Sequence, residues 1–512
     1  MLSVINTLAV TGGKPEDKFI TCFQGGRRYR LSLARLDADA GRLAGRLLRA
    51  GLKPGDRVGL LARNGIEWIL VDLAAIKAGL VTAGFEWGKF SDIAPLVDSY
   101  ALDAFYTESA GGSVGPALDL RPLVKDILEA AGDAPSRSAP DGPPPRSYGP
   151  GDVTTIKFTS GSTGEPKGLA ATVGSIDSSL NAVQAMFTHG ADDNILVFLP
   201  LSLLQQRYWV YSALVFGHDV TVAPFELAVG AAQATQPTVI MGVPGFFDGI
   251  RRQVESDGDV DEPAARRHGI ERYLGRRIRY LWTGSAPAGS ALLHFYNDCG
   301  VPLYEGYGMN ETCIVTKNHP GHVRIGSVGQ VLAGKRIRID RDGVLIVGAD
   351  WPVNTSYLYA APGDSGKVFL PTGEVRTGDL ARIDDDGFLY ILGRSDDMIV
   401  LANGRNVHVR AIEEQVARHR DVHQCVLYGS GRPYLVAIIS PAARDLDRGG
   451  VLSHIEEVNR TLAKDDRIVR AVFAPEPFSV ENGLLTSQFK PRRKEIHKAL
   501  QAEIDQQYGA FA

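Results

Sequence analysis

Between residues 153 and 282, five short β-rich runs alternate with segments of helical periodicity: VTTIKF (153–158), ILVFL (195–199), DVTVA (219–223), TVIMG (238–242) and IRYLW (278–282). Short apolar runs separated by helices are strands covered on both faces, so this alternation predicts a mostly parallel sheet with helices packed over it. The start of the chain has the same character. Leu36, Ala40, Leu43 and Leu47 recur at helical spacing within 33–50, Gly51 stops that helix, and GDRVGLLA follows as a strand. The apolar stretch 68–85 is interrupted by Asp72 and Lys77, so it reads as a buried helix and not as a membrane span of about 20 residues.

Punctuation divides the chain further. The segment 132–151, GDAPSRSAPDGPPPRSYGPG, is too rich in proline and glycine to join a helix or a central strand, and it reads as a surface connector between two subdomains. Between 335 and 392 strands are separated by turn signals such as Arg341-Asp342-Gly343 and Asp385-Asp386-Gly387, which predicts an antiparallel barrel or hairpin unit. Helical periods return after about 410 around short strands at 423–429 and 434–440, as in a small α/β domain.

Composition narrows the function classes. A chain of 512 residues at about 150 per domain predicts roughly three units, and 44% hydrophobic with 22% charged residues excludes disorder. A net charge of −4 offers no basic field for nucleic acid or anionic lipid, so any anionic ligand must be held locally. Cys22, Cys299, Cys313 and Cys425 are far apart and form no CxxC pair, which argues against a zinc site or a disulfide framework and for a reducing compartment. No basic segment precedes the apolar residues of the N-terminus, so a cytoplasmic protein without a secretory signal is expected.

The most informative local chemistry is TSGSTGEPKG at 159–168, directly after the strand VTTIKF and ahead of a helix expected near 174–187. The glycines let backbone N–H groups turn toward one point. Hydroxyls of Thr159, Ser160, Ser162 and Thr163 add donors, Gly161 and Gly164 add freedom, and Lys167 adds a cation, so the run suits a polyphosphate. It is not a Walker A loop, since Pro166 precedes the lysine and Gly168 follows it. Nor is Ser162 in a nucleophile elbow, where Ser160 would have to be glycine. A second run, 304–311, joins an aromatic ring, tight glycine backbone, an amide and a carboxylate, which suits a purine, a phosphate and Mg²⁺. As a dinucleotide loop it lacks the third glycine. His319 and His322 lie in a Pro/Gly-rich loop without cysteine partners and read as surface.

These runs, in this order and at this spacing, resemble the adenylate-forming superfamily: acyl-CoA synthetases, luciferases and the adenylation domains of peptide synthetases. The resemblance covers nearly the whole chain. It implies an α/β fold with a large N-terminal domain at 1–393, made of two α/β subdomains and a β-barrel-like subdomain at about 320–393, and a small mobile C-terminal α/β domain at 394–512. It implies ATP/AMP, Mg²⁺ and coenzyme A as cofactors. The backbone of Ser285 and Ala286 and the ring of Tyr307 would surround adenine, with Asn310 at the α-phosphate and Glu311 on magnesium, and Gly284, Glu305, Gly306, Gly308 and Met309 would complete the nucleotide site. Asp379, by itself only a turn residue beside Gly378, would hold the ribose, Arg394 would meet the nucleotide, and Asp396 would be the hinge. Lys490 would contact the reacting carboxylate and the α-phosphate. Gly404 would narrow the thiol tunnel, and Arg405 would either meet CoA phosphates or stay solvated. The form NGLLT with FKPRR is closest to the branch that acts on long-chain or bulky acids.

One departure stands out. In the segment FLPLSLLQQR (198–207), Leu203 occupies the position where many relatives carry a histidine lining the carboxylate pocket, so either adenylation is slowed or Arg207 or Gln206 orients the acid instead. Trp209, Tyr211, Gly284, Tyr304 and Gly306 are candidates for the acyl pocket or, equally, for plain core. The implied reaction is formation of an acyl-adenylate from a hydrophobic or bulky carboxylic acid, followed by transfer to CoA. Two other enzymic readings are transfer to a carrier protein and thioesterification of a pre-formed acyl-adenylate. A nucleotide sensor without turnover is the non-enzymic one.

Overall fold

The structure, a computed structural model, describes residues 1–90, 92–108, 118–129, 142–159, 167–258, 262–443, 446–486 and 489–509. Two large sheets form its frame. The first has nine strands, and its interior strands Phe19–Gln24, Asp219–Val222, Asn194–Val197, Val239–Gly242, Tyr280–Thr283 and Leu303–Met309 pair in parallel in that order. Antiparallel strands close both ends: Arg27–Ser32 on one side, Cys313–Lys317 and Gln330–Val331 on the other. The second sheet has six strands and is parallel from Leu118–Asp119 through Val153–Thr159.

One local reading of the sequence is corrected here, and one is extended. The apolar stretch 68–85 is not one helix: the helix Ile66–Ala78 ends at Gly79 and the strand Val81–Phe85 follows. Gly79 adopts φ 78° and returns its N–H to the carbonyls of Ala75 and Ile76, a left-handed cap that glycine takes without steric cost. The helix expected near 174–187 is present as Val173–Phe187, preceded by a strand that the sequence reading did not include. Lys167–Thr172 pairs antiparallel with Val153–Thr159, Thr159 opposite Lys167, and the helix Val173–Phe187 begins one strand later with the Thr172 hydroxyl accepting from Ser175 N–H. The free edge of the last parallel strand needs backbone partners, and the chain immediately after it supplies them at the smallest closure entropy. Residues 160–166 themselves lie outside the described residues.

A four-stranded antiparallel sheet follows, with Lys335–Ile339, Val344–Ala349, Val375–Ile383 and Leu389–Arg394 in chain order. The last part of the chain has its own sheet of Val422–Tyr428, Leu435–Pro441 and Ile468–Phe473, the third strand being one that periodicity did not reveal. Helices Val409–Val416 and Arg448–Thr461 cover one face, and Arg493–Ala499 and Gln501–Gly509 the other. Its two apolar cores contain only residues after 398. All four cysteines are buried and free. No helix is long and apolar enough to cross a membrane among the described residues.

Candidate active site

In open α/β sheets ligands bind beyond the carboxyl ends of the strands. Here that edge of the nine-stranded sheet, the four-stranded sheet and the C-terminal part enclose a cavity of about 870 Å³. Residues 305–309 carry one wall, and the strand Leu303–Met309 to which they belong turns back tightly into Cys313–Lys317. A Cβ at Gly308 would lie 2.2 Å from the Cys313 carbonyl oxygen, so this turn admits only glycine there. Ser285, just past the strand Tyr280–Thr283, sits at φ 66°, a strained backbone of the kind found at binding sites.

Four residues singled out in the sequence meet in this cavity. The Tyr307 hydroxyl donates to Asp379 Oδ2, and Arg394 Nη1 lies 3.4 Å from Asp379 Oδ1 while donating to the Thr377 carbonyl at 3.0 Å. Gly378 takes φ 76° where the strand Val375–Ile383 shifts register against its neighbours, and Asp379 meets Tyr307 there. Burial and the Asp379 carboxylate push the Tyr307 hydroxyl well above its ordinary value. Lys490 lines the same cavity, and burial lowers its ammonium below the usual lysine range; Asp379 opposes this shift and Arg394 adds to it. Ser285, Ala286, Glu305, Gly306, Gly308 and Met309 complete this part of the lining.

Glu305 is buried, accepts the Ala288 N–H at 2.9 Å, and is raised from 4.5 to about 7 by burial. The fold thus favours its protonated form. Its contribution to stability is full below about pH 4.5, declines as pH rises toward about 7, and is flat beyond. Urea unfolding at a series of pH values is expected to show wild type losing about 3 kcal/mol relative to Glu305→Gln across that window. A difference that does not vary with pH would refute the assignment.

A second cluster forms around Lys167, the first residue of the strand Lys167–Thr172. Glu311, 6% exposed, accepts the Tyr357 hydroxyl at 2.6 Å, Lys167 pairs with Asp364 at 2.8 Å, and the Lys167 ammonium lies 5.4 Å from the Tyr357 ring centre. Asn310 Nδ2 is 3.4 Å from the Phe158 carbonyl, which ties this run to the strand that enters the loop. Thr159 ends that strand, whereas Ser160, Gly161, Ser162, Thr163 and Gly164 lie outside the described residues. Tyr357 and Asp364 carry no motif that sequence reasoning finds.

The expected acyl pocket is where packing departs most from the reading of the sequence. Leu203 sits at the N-cap of the helix Leu204–Phe216 and leaves that cap without a side-chain acceptor. Arg207 is 1% exposed and bonds Asp72 at 3.1 Å and Thr155 at 2.9 Å, with Tyr211 donating to the same Asp72 at 2.5 Å. Its cation is therefore bound inside the core and is not presented to a substrate. Trp209 donates to Met241 Sδ at 3.2 Å, and Tyr304 packs on Tyr280 with ring centres 5.6 Å apart. The small cleft that adjoins the main cavity is walled instead by Gln206, Met241, Trp282, Gly284 and Ile314, with Leu203, Arg207, Trp209 and Tyr304 outside its walls.

Gly404 turns an exposed loop at φ 80°, and Arg405 pairs with Asp466 at 3.0 Å, both away from the cavity. Asp396 accepts from Arg394 Nε at 3.0 Å. The structure also adds Phe489, which lines the cavity beside Lys490. Phe489 takes a left-handed φ of 58°, places its ring 5.3 Å from that of Phe225, and accepts from Gln424 Nε2 at 3.3 Å. Its side chain packs against both the Phe246–Phe247 core and the C-terminal core.

A nine-stranded α/β sheet, a small antiparallel sheet and a separately cored C-terminal part around one cleft, with a second α/β sheet in the same frame, define the architecture of an adenylate-forming enzyme. The chain belongs to the AMP-binding enzyme family, which it matches over residues 9–349, and residues 396–512 match the C-terminal domain of AMP-binding enzymes. It is 26% identical to long-chain-fatty-acid–CoA ligase FadD15 of Mycobacterium tuberculosis, over 90% of this chain and 89% of that one. It is 25% identical to long-chain-fatty-acid–CoA ligase 5 of Rattus norvegicus, over 90% and 82%. ATP-bound MatB from Rhodopseudomonas palustris has the same fold, with TM-score 0.79 and 22% identity over 98% of this chain and 99% of that one. So does the o-succinylbenzoate CoA synthetase MenE of Bacillus subtilis in complex with an acyl-adenylate, with TM-score 0.77 and 20% identity over 97% and 98%.

Proposed function

We propose that this enzyme is an AMP-forming acid–thiol ligase that activates a hydrophobic carboxylic acid as acyl-AMP and passes the acyl group to coenzyme A in the cytoplasm. The observation that carries the reading is the convergence of Tyr307, Asp379, Arg394 and Lys490, drawn from three separate parts of the chain, on one cavity. In the first step a carboxylate oxygen bonds to the α-phosphorus and the bond to pyrophosphate breaks. Asp379 accepts from the ribose hydroxyls, and the flat wall of Ser285, Ala286 and Tyr307 receives the purine. The Lys490 ammonium offsets the charge of the two anions as they approach, a role that a desolvated cation fills better than a hydrated one. Positioning supplies most of the rate, since no covalent enzyme intermediate is needed.

Glu311 fits a magnesium site. Mg²⁺ takes one or two carboxylates and completes its shell with water and substrate phosphates, so the single buried carboxylate of Glu311 suffices. When bound there the ion would neutralise phosphate charge.

In the second step the CoA sulfur bonds to the acyl carbon and AMP leaves with the electron pair. Lys490 is in the cavity while Gly404 and Arg405 are outside it, which suits adenylation. Rotation about Asp396 would exchange them. Phe489 holds Lys490 in place by docking on Phe225. Phe489→Ala is therefore expected to lower ATP–pyrophosphate exchange about fivefold, the loss of one aromatic contact of about 1 kcal/mol. Consumption of synthetic acyl-adenylate with CoA should be unchanged, and an equal fall in both would reduce Phe489 to a stability residue.

A second reading, thioesterification of an adenylate made elsewhere, draws on Leu203, which puts no donor near the acid. ATP–pyrophosphate exchange across a panel of carboxylic acids separates the two. Acid-dependent exchange supports the ligase, and its absence alongside CoA-dependent consumption of acyl-adenylate supports the alternative. Product on a carrier protein in place of CoA would change the acceptor but not the first step.

A further inference from the structure

The helix Leu204–Phe216 brings Gln206, 3% exposed, into the wall of the narrow cleft of about 40 Å³ that shares Tyr307 and Gly306 with the main cavity. By the same measure one water needs about 10–15 Å³, so the cleft has room for roughly three small groups. Its remaining walls mix apolar side chains, Leu199, Met241, Trp282 and Ile314, with the polar ones of Gln205, Ser285 and Tyr307. The Gln206 carboxamide is held at one end only. Nε2 donates to Met241 Sδ at 3.2 Å, the sulfur that also receives the Trp209 N–H at 3.2 Å. A thioether accepts and never donates, so the nitrogen must be the end facing Met241, and the amide orientation is determined. The oxygen, Gln206 Oε1, is buried and finds no donor among the described residues.

The neighbouring cations do not fill that role. Arg207 is bound to Asp72 and Thr155, and the buried Lys317 ammonium donates to the carbonyls of Tyr304 at 2.7 Å and Thr283 at 3.4 Å. An acceptor left unpaired in a low-dielectric wall forfeits its hydration with nothing in return, so the arrangement favours an occupant that brings a donor. Resting on the ligase reading, we propose that the acid this enzyme activates carries an O–H or N–H group on an otherwise apolar acyl portion, and that this group donates to Gln206 Oε1. Gln206 is then the residue that selects the acid.

A site built around one hydrogen bond discriminates strongly against an analogue that lacks it, whereas an apolar pocket discriminates weakly. The test is kcat/KM for acyl-adenylate formation with acids in isosteric pairs, CH₃ against OH or NH₂, stepped along linear and aromatic acyl skeletons. For at least one pair the donor-bearing acid is expected to win by about 100-fold. Gln206→Leu should reduce that ratio to below about fivefold, and Gln206→Glu, which keeps an acceptor oxygen, should retain the preference. AMP binding by calorimetry controls for folding of each variant. If Gln206→Leu fails to bind AMP, Gln206→Met serves as the apolar replacement. Equal or better use of the CH₃ member in every pair by wild type would overturn the proposal, as would a ratio unchanged by loss of the amide, the result expected if water alone satisfies Oε1. Absence of exchange with every acid, with AMP binding intact, would instead overturn the ligase reading and this proposal with it.

Discussion

Lys490→Ala is expected to lower acid-dependent ATP–pyrophosphate exchange by about 10²–10³, the usual cost of deleting one group that stabilises developing charge in a water-poor site. Consumption of synthetic acyl-adenylate with CoA should stay within a factor of about three, because that step needs Lys490 out of the cavity. The split between the half-reactions carries the argument. A variant impaired equally in both would have lost structure, not a catalytic cation. The pH profile adds an independent check. Burial lowers the Lys490 ammonium below the ordinary lysine range, so its charge is present at low pH and is lost as pH rises through that lowered value. Exchange in wild type should therefore fall on the alkaline side at a pH where an exposed lysine is still charged, and Lys490→Ala should lack that limb.

Asp72→Ala is expected to destabilise the protein by about 3–5 kcal/mol, since it leaves the Arg207 guanidinium buried and without a counter-charge. The Tyr211 hydroxyl loses its acceptor in the same variant. Pairing Asp72→Leu with Arg207→Met should recover most of that loss, because removing both charges together leaves only an apolar repacking problem. Urea midpoints of the two single variants and the double variant form the cycle. A single-variant loss below about 1 kcal/mol would show that water reaches the pair and that Arg207 is freer than its burial indicates. The same measurement bears on specificity. If Arg207 is structural, Arg207→Met in the Asp72→Leu background should leave the ranking of acids unchanged.

Parallel strands at 195–199, 219–223, 238–242 and 278–282 were legible because strands covered on both faces must be short and continuously apolar, a pattern that survives without knowledge of neighbours. The stretch 68–85 was not, since a helix and a strand that are both fully buried share the same composition and only the Gly79 cap separates them. The hairpin at 153–172 was obscured by a loop whose chemistry drew attention away from its role as a turn. Arg207 was misread for a different reason. Its partner Asp72 is 135 residues distant and sits in a helix that shows no sign of a charge partner.

What sequence alone determined is the inventory: alternating strands and helices, the order of the nucleotide-binding runs, and the groups able to meet a phosphate, a ribose and a carboxylate. Those follow from residue type and spacing, which are local properties of the chain. Tertiary structure decided which of these groups share a cavity. Tyr307 reaches Asp379 across 72 residues, Phe489 docks the C-terminal part on Phe225, and Gln206 rather than Arg207 lines the small cleft beside the main cavity. The physical reason is that an ion pair or an unpaired acceptor is defined by what lies within about 4 Å of it, and that distance is set by packing between segments remote in the chain.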